Sequence, residues 1–200
     1  MLYYIAKFIL LGPLMWLIFR PVRRGTENLK TKGPLIIVCN HWHITDPVFL
    51  GCLLPRTIHF MAKKELFQNP VLSFIFEKLM FAFPVDRGRA DLSSMKKAIS
   101  LLKEGKVFGI FPEGTRNVTG EMDSLEKGAA FLALKTGAKI LPIYMEPVTF
   151  RKMRVHMTIG ETMDPEEVSK RHPGKPVDVL TQAIEDRLQL LRIQTEGDRI

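Results

Sequence analysis

The sequence predicts an α/β domain: a mixed, largely parallel central sheet flanked by helices, with an N-terminal membrane-associated helical segment ahead of it. Three observations predict it. Short apolar runs of strand length, at 35–39, 107–111 and 140–144, alternate along the chain with helix-length segments that carry start and stop signals. Polar motifs follow the first two of these runs and the short strand at Phe83, and in open α/β sheets ligands sit outside the carboxyl ends of the strands. Residues 2–19 are apolar except for Lys7, and Arg20, Arg23 and Arg24 follow them.

Two hundred residues suit one domain with a sizeable core. The chain divides into an apolar segment with a basic end, 1–24, and a folded domain, 25–200. The 2–19 run is just long enough to span a bilayer, but Gly12-Pro13 interrupts it. It reads either as one tilted span or as a broken helix lying in the interface with its basic end on lipid phosphates. No small-residue cleavage site follows it, so it is not read as a signal peptide. Positive-inside logic places the arginines, and the domain after them, on the cytoplasmic face of the membrane. The formal net charge of +8 calls for an anionic partner. Nucleic acid would explain that charge but not the apolar run, and it is not expected. Cys39 and Cys52 both lie in apolar runs and read as buried thiols of a reducing compartment.

After a polar connection from Gly25 to Gly33, residues 35–39 read as a buried strand. A turn, 40–47, leads into a helix opening at 48–54, with Asp46 at the N-cap and Pro47 in the first turn. Residues 57–62 form a second strand. Asn69-Pro70 opens a helix to Leu79 that is apolar nearly all round; such a helix is buried or faces lipid and acyl chains, and core is the preferred reading. A short strand begins at Phe83 and ends in a polar turn through Arg87 and Gly88. Asp91 starts a helix that runs to Lys103 and stops at Gly105. Residues 107–111 are a buried strand, and 112–116 are a turn at its end. Residues 127–135 form a helix stopped by Gly137. In the strand 140–144, Pro142 argues for a sheet edge or a special bend. Charged and apolar residues alternate over 151–160, which suits a half-exposed strand. Residues 164–170 and 177–193 close the domain as helices.

The chemistry gathers at the ends of three strands. His41 stands where one strand ends, and Asp46 where the next helix begins. Five residues apart, they would sit about 140° off-face on one helix or about 17 Å apart along one strand, so only a strand-to-helix turn brings them together. There a carboxylate can hold an imidazole by one nitrogen and leave the other free to take a proton. Spacing alone equally allows His43 as the partner of Asp46. A catalytic zinc site takes three protein ligands, and His59, His156 and His172 are scattered singly, so no metal is expected. Arg87 and Arg116 have the fork shape that grips a phosphate, and Gly114 permits close backbone approach. No serine or cysteine nucleophile is evident beside His41, although Cys39 is two residues away. A base without a protein nucleophile suggests a substrate hydroxyl; the arginines suggest a phosphate; the apolar N-terminus suggests a lipid. Asn117-Val118-Thr119 matches a glycosylation acceptor but is discounted without a secretory signal.

Four blocks, in order, carry a family resemblance. They are Asn40-His41 through Asp46 (an H-x4-D motif), Phe83-Pro84-Val85-Asp86-Arg87, Phe111-Pro112-Glu113-Gly114-Thr115-Arg116, and Leu141-Pro142-Ile143. The chain closely resembles the 1-acyl-sn-glycerol-3-phosphate acyltransferases, the PlsC-like lysophosphatidate acyltransferases. The resemblance implies a glycerophosphate acyltransferase-like fold. It implies that His41 is the general base on the free sn-2 hydroxyl of 1-acyl-glycerol 3-phosphate, with Asp46 orienting it. That hydroxyl attacks the thioester of acyl-CoA or acyl-carrier protein, the co-substrate, to give phosphatidic acid without an acyl-enzyme. Arg87, Glu113, Gly114, Thr115 and Arg116 form the acceptor site, and neither a cofactor nor a metal is needed. Expected partners are a membrane phospholipid surface, lysophosphatidate and the acyl donor. Another lysophospholipid or related lipid as acceptor, or a non-catalytic lipid-binding protein of this fold, are the alternatives. The family often has Ser where His43 stands and Gly where Phe81 stands, and either departure bears on acceptor preference. Backbone N–H groups near the motif turns are expected to stabilise the oxyanion.

Overall fold

A computed structural model describes residues 12–43, 45–86, 91–113, 125–147, 154–170 and 174–197. Seven strands form one sheet: β1 (Val22–Arg24), β2 (Leu35–Cys39), β3 (Ile58–Lys63), β4 (Ala82–Val85), β5 (Val107–Ile110), β6 (Lys139–Met145) and β7 (His156–Ile159). Their spatial order is β1-β7-β6-β2-β5-β3-β4, and only the β6–β7 pair is antiparallel. The expected mixed, largely parallel sheet is therefore what forms. β2 is buried at every position because helices cover both of its faces.

One face is covered by α1 (Gly12–Phe19), α2 (Asp46–Leu53) and α3 (Pro70–Phe74), the last continuing as a π-helical turn, Ile75–Leu79. Phe49, Leu50 and Leu54 fill the core on this side, with Phe19, Leu29, Phe67 and Phe76 packed around them. The other face is covered by α4 (Leu92–Lys103), α5 (Gly128–Thr136), α6 (Pro165–Ser169) and α7 (Pro176–Gly197), which bury Leu102, Leu132, Leu180, Ile184 and Leu188. Asp91 caps α4 by accepting from the Ser93 and Ser94 amides, as its position predicts. Gly137 ends α5 in the left-handed region at φ 68°, where a side chain would be strained.

Three expectations are corrected. The helix opened by Asn69 is not in the core: Val71, Leu72, Phe74 and Ile75 are exposed, because the element lies at the β4 edge, while Phe76 and Met80 pack inward. Pro142 is not on an edge strand. Its carbonyl accepts from Gly160 N at 2.9 Å, so its missing donor falls on that side too, just past the last β6–β7 pair, Ile143 with Ile159. The segment read as half-exposed is nearly all buried over His156–Ile159, since β7 lies between β1 and β6. Cys39 is buried as expected, whereas Cys52 is only half-buried, and they form no disulfide.

Among the described residues, no helix is long and apolar enough to cross a membrane. Val22–Arg24, the basic end of the N-terminal run, forms the outer strand beside β7.

Candidate active site

β2 delivers the site. Its ladder ends at Cys39, and Asn40 replaces the next backbone pair with its side chain. Asn40 Nδ2 donates to Met145 O at 2.8 Å, and Met145 N donates to Asn40 Oδ1 at 2.8 Å. The main chain is thereby free to turn away while still tied to β6. Trp42 Nε1 adds a second donor to Met145 O at 2.9 Å.

Within the turn, one oxygen of Asp46 gathers three donors. Asp46 Oδ2 accepts from Trp42 N and His43 N, each at 2.7 Å, and lies 2.9 Å from His41 Nδ1. Asp46 was expected at the N-cap. It is instead the first helical residue, after Thr45, and its carboxylate faces back across the turn rather than forward along α2. Asp46 is buried and the His41 side chain is 13% exposed, so the pair is shielded but the ring edge is within reach of a ligand. His43 does not compete. Its ring is exposed and its Nδ1 lies 3.0 Å from Thr45 Oγ1, so the ambiguity left by spacing resolves to His41. The Trp42 and His43 amides are committed to Asp46, which removes them from the expected set of oxyanion donors.

The end of β5 meets this turn. The Phe111 ring stacks on the His41 ring, centroids 4.2 Å apart and planes at 23°, and Phe111 in turn stacks on Phe60 at 6.0 Å. Two residues on, Glu113 is buried. Burial first, then the Asp46 and Glu113 carboxylates, push the Cys39 thiol well up, so both carboxylates lie close to one buried sulfur. That sulfur sits in the core cluster and is held as a thiol, which removes Cys39 as a nucleophile.

The His41 turn and the end of β5 are thus brought together, and Phe111 is the contact that joins them. Sequence reasoning gave Phe111 no role of its own; the signal was an aromatic residue at the end of a buried strand, next to the motif glutamate. The third turn follows β4, which is parallel to β3 and so opens on the same edge of the sheet. A hollow of about 410 Å³ lies there, lined by Lys64, Val85, Asp86, Asp91 and Ser93. Arg87, Gly114, Thr115 and Arg116 lie outside the described residues. No group of histidine, cysteine, aspartate and glutamate suited to a metal ion occurs among the described residues. A larger hollow, about 580 Å³, lies between α1, the turn at Thr26–Lys30 and the end of α2, and touches neither His41 nor Glu113.

A histidine held by a carboxylate at the carboxyl edge of a largely parallel sheet is the arrangement of a site that can move a proton. The chain belongs to the acyltransferase family, whose family model matches residues 20–146. It is 37% identical over 171 residues to the 1-acyl-sn-glycerol-3-phosphate acyltransferase of Bacillus subtilis, covering 82% of this chain and 84% of that one. It is 27% identical to the enzyme of the same name from Borreliella burgdorferi, covering 84% of this chain and 72% of that one. The crystal structure of the 1-acyl-sn-glycerophosphate acyltransferase PlsC from Thermotoga maritima superposes with a TM-score of 0.72 at 24% identity, covering 94% of this chain and 80% of that one. That likeness extends the shared fold over nearly the whole chain.

Proposed function

We propose that the protein transfers a fatty acyl group from acyl-CoA or acyl-carrier protein to the sn-2 hydroxyl of 1-acyl-glycerol 3-phosphate, giving phosphatidic acid. The observation that carries this reading is the His41–Asp46 pair, stacked on Phe111 and placed at the sheet's carboxyl edge. The names of its relatives supply the substrate class.

The geometry supports one direction of proton flow. With Asp46 Oδ2 accepting at 2.9 Å, the hydrogen sits on His41 Nδ1 and the lone pair is on Nε2. His41 Nε2 takes the hydroxyl proton as the hydroxyl oxygen attacks the thioester carbonyl. The tetrahedral intermediate collapses, the C–S bond breaks, and the imidazolium returns its proton to the leaving sulfur. One C–O bond forms, one C–S bond breaks, and His41 ends as it began. Asp46 stabilises the imidazolium between the two transfers. Arg87 and Arg116 hold the acceptor phosphate, with Glu113, Gly114 and Thr115 shaping that site. No metal or cofactor takes part. The enzyme works on the membrane surface at the cytoplasmic face, anchored by the apolar N-terminal run, while the basic end of that run, Val22–Arg24, belongs to the catalytic domain as β1.

Acyl transfer by the purified full-length protein in detergent, with lysophosphatidate and a long-chain acyl-CoA, tests this. His41→Ala should lower kcat by about 10²–10⁴, the usual contribution of a general base. His43→Ala should retain activity, since its ring points to Thr45. Loss in both variants, or in neither, would remove His41 as the base. A wild type inactive with both acyl-CoA and acyl-carrier protein would overturn the reaction class.

A further inference from the structure

We infer that the helix made by α3 and its π-turn is a second membrane foot, which lies in the surface of an anionic bilayer together with α1. The inference rests on the membrane-associated reading above and adds an element that reading does not contain.

A surface helix normally turns its apolar stripe inward. This one has more apolar surface than the core accepts. Phe76 and Met80 pack inward, with Phe76 against Phe67 at 6.0 Å. Val71, Leu72, Phe74 and Ile75 point outward, and Val71 and Phe74 are 68% and 52% exposed. At about 100° per residue these four spread over an arc of roughly 160°. An arc that wide is one whole side of the helix, not a stray apolar residue.

The same side of the molecule carries a second such helix. α1 and α3 both cover the sheet face whose core includes Phe49 and Leu50. On α1, Trp16 and Leu17 are 56% and 74% exposed. α2, which begins with Asp46, covers the strands between them. On the opposite face, the exposed apolar residues Leu92, Phe131, Leu190 and Ile193 are spread over three helices.

Charge selects the partner. Residues 12–81, which build this side, contain nine lysines and arginines against four acidic residues, one of which is the buried Asp46. Lys63 and Lys64 precede α3, Lys78 lies in its π-turn, and Arg20, Arg23 and Arg24 follow α1. Lys63 shares its charge with Glu65 at 3.4 Å and Glu77 adjoins Lys78, so the excess on the α3 side is modest. Apolar helices bordered by basic residues suit an in-plane position on anionic lipid. An acidic carrier protein would also meet the lysines. It would leave the parallel exposure of α1 without a partner, whereas a bilayer covers both helices at once.

The test is partition of the full-length protein onto vesicles of phosphatidylcholine with and without phosphatidylglycerol, in the absence of substrate. The triple variant Val71→Ser, Leu72→Ser, Phe74→Ser should keep the wild-type Tm and lose at least about tenfold in partition onto the anionic vesicles. An unchanged partition at unchanged Tm overturns the second foot. So does a variant that binds vesicles normally but loses self-association, or normally but loses an acyl-carrier protein: either result assigns the face to a protein. Because no substrate is present, the result stands apart from the acyl-transfer assay. A wild type that ignores vesicles altogether would overturn both the foot and the membrane-associated reading.

Discussion

His41 is fixed by two contacts of different kind. Asp46 sets its tautomer and its edge; Phe111 sets its plane. Only the first is read from spacing, because H-x4-D is a local pattern. The second joins residues 70 positions apart, and no sequence window contains it. The stack is testable through Phe111→Leu, which keeps apolar volume but removes the flat partner. Aromatic pairs of this kind contribute about 0.5–1.5 kcal/mol beyond burial, so kcat should fall by roughly 2- to 12-fold with KM for the acyl donor unchanged. A variant with wild-type kcat would reduce Phe111 to a packing residue. At Phe81 the structure gives a backbone reason to expect glycine. Phe81 sits at φ 49°, in the left-handed region, which costs an L-residue roughly 1–2 kcal/mol. Its ring meets His59 edge-on at 5.5 Å, so this chain keeps an aromatic contact where glycine would give only freedom.

Among the elements, those with local start and stop signals were the legible ones. α4 runs over the residues its cap and stop predict, because Asp91 and Gly105 act within one turn of the helix they bound. The burial of α3 was not legible. Its composition is that of a core helix, and only the strand order shows that it covers an edge strand. For the same reason Pro142 left a sheet edge and a bend both open: the chain that faces it, at Gly160, is 18 residues further on. The cap of α4 does more than start a helix. Asp91 also accepts from Asp86 N at 3.2 Å, and Ser94 Oγ lies 2.6 Å from Asp91 Oδ2 and 2.9 Å from Pro84 O. The carboxylate therefore ties both ends of the loop that carries Arg87. The Ser93 and Ser94 hydroxyls, then the Asp86 and Ser94 amides, hold its pKa well below the usual carboxylate range. A depressed carboxylate stabilises the fold above its unfolded pKa, about 4, and loses that contribution as pH falls toward its folded value. Asp91→Ala should lower Tm by about 2–4 °C at neutral pH, and the gap to wild type should narrow as pH falls below about 4. A gap that stays constant down to pH about 2 would show that the charge of Asp91 is not what ties the loop.

Across the whole molecule the sheet has two ends with separate tasks. The carboxyl ends of β2 and β5 carry His41 and Phe111, and their stack requires these strands to keep their relative height. The opposite end is closed by Arg56. It donates from Nη1 to Thr31 O at 3.0 Å, and from Nη2 to Gly33 O at 2.7 Å and Gly105 O at 3.0 Å. Those carbonyls lie just ahead of β2 and β5, and Arg56 itself lies just ahead of β3. One guanidinium thus ties the starts of three adjacent strands. Burial lowers its pKa but leaves an arginine charged, so the three bonds are charge-assisted. Nothing in the sequence around Arg56 marks this role, since its partners are carbonyls rather than side chains. Removing it should cost about 2–4 kcal/mol, less than three independent charged bonds because water reaches part of the site. In a chain of 200 residues that corresponds to a Tm lower by roughly 4–16 °C for Arg56→Ala. Well below that Tm, KM should be unchanged, because the ladder between β2 and β5 survives and the site is at the other end of the strands. If Tm held but KM rose, Arg56 would be acting on the site and not on the fold, and the division of the sheet into a structural end and a chemical end would be wrong.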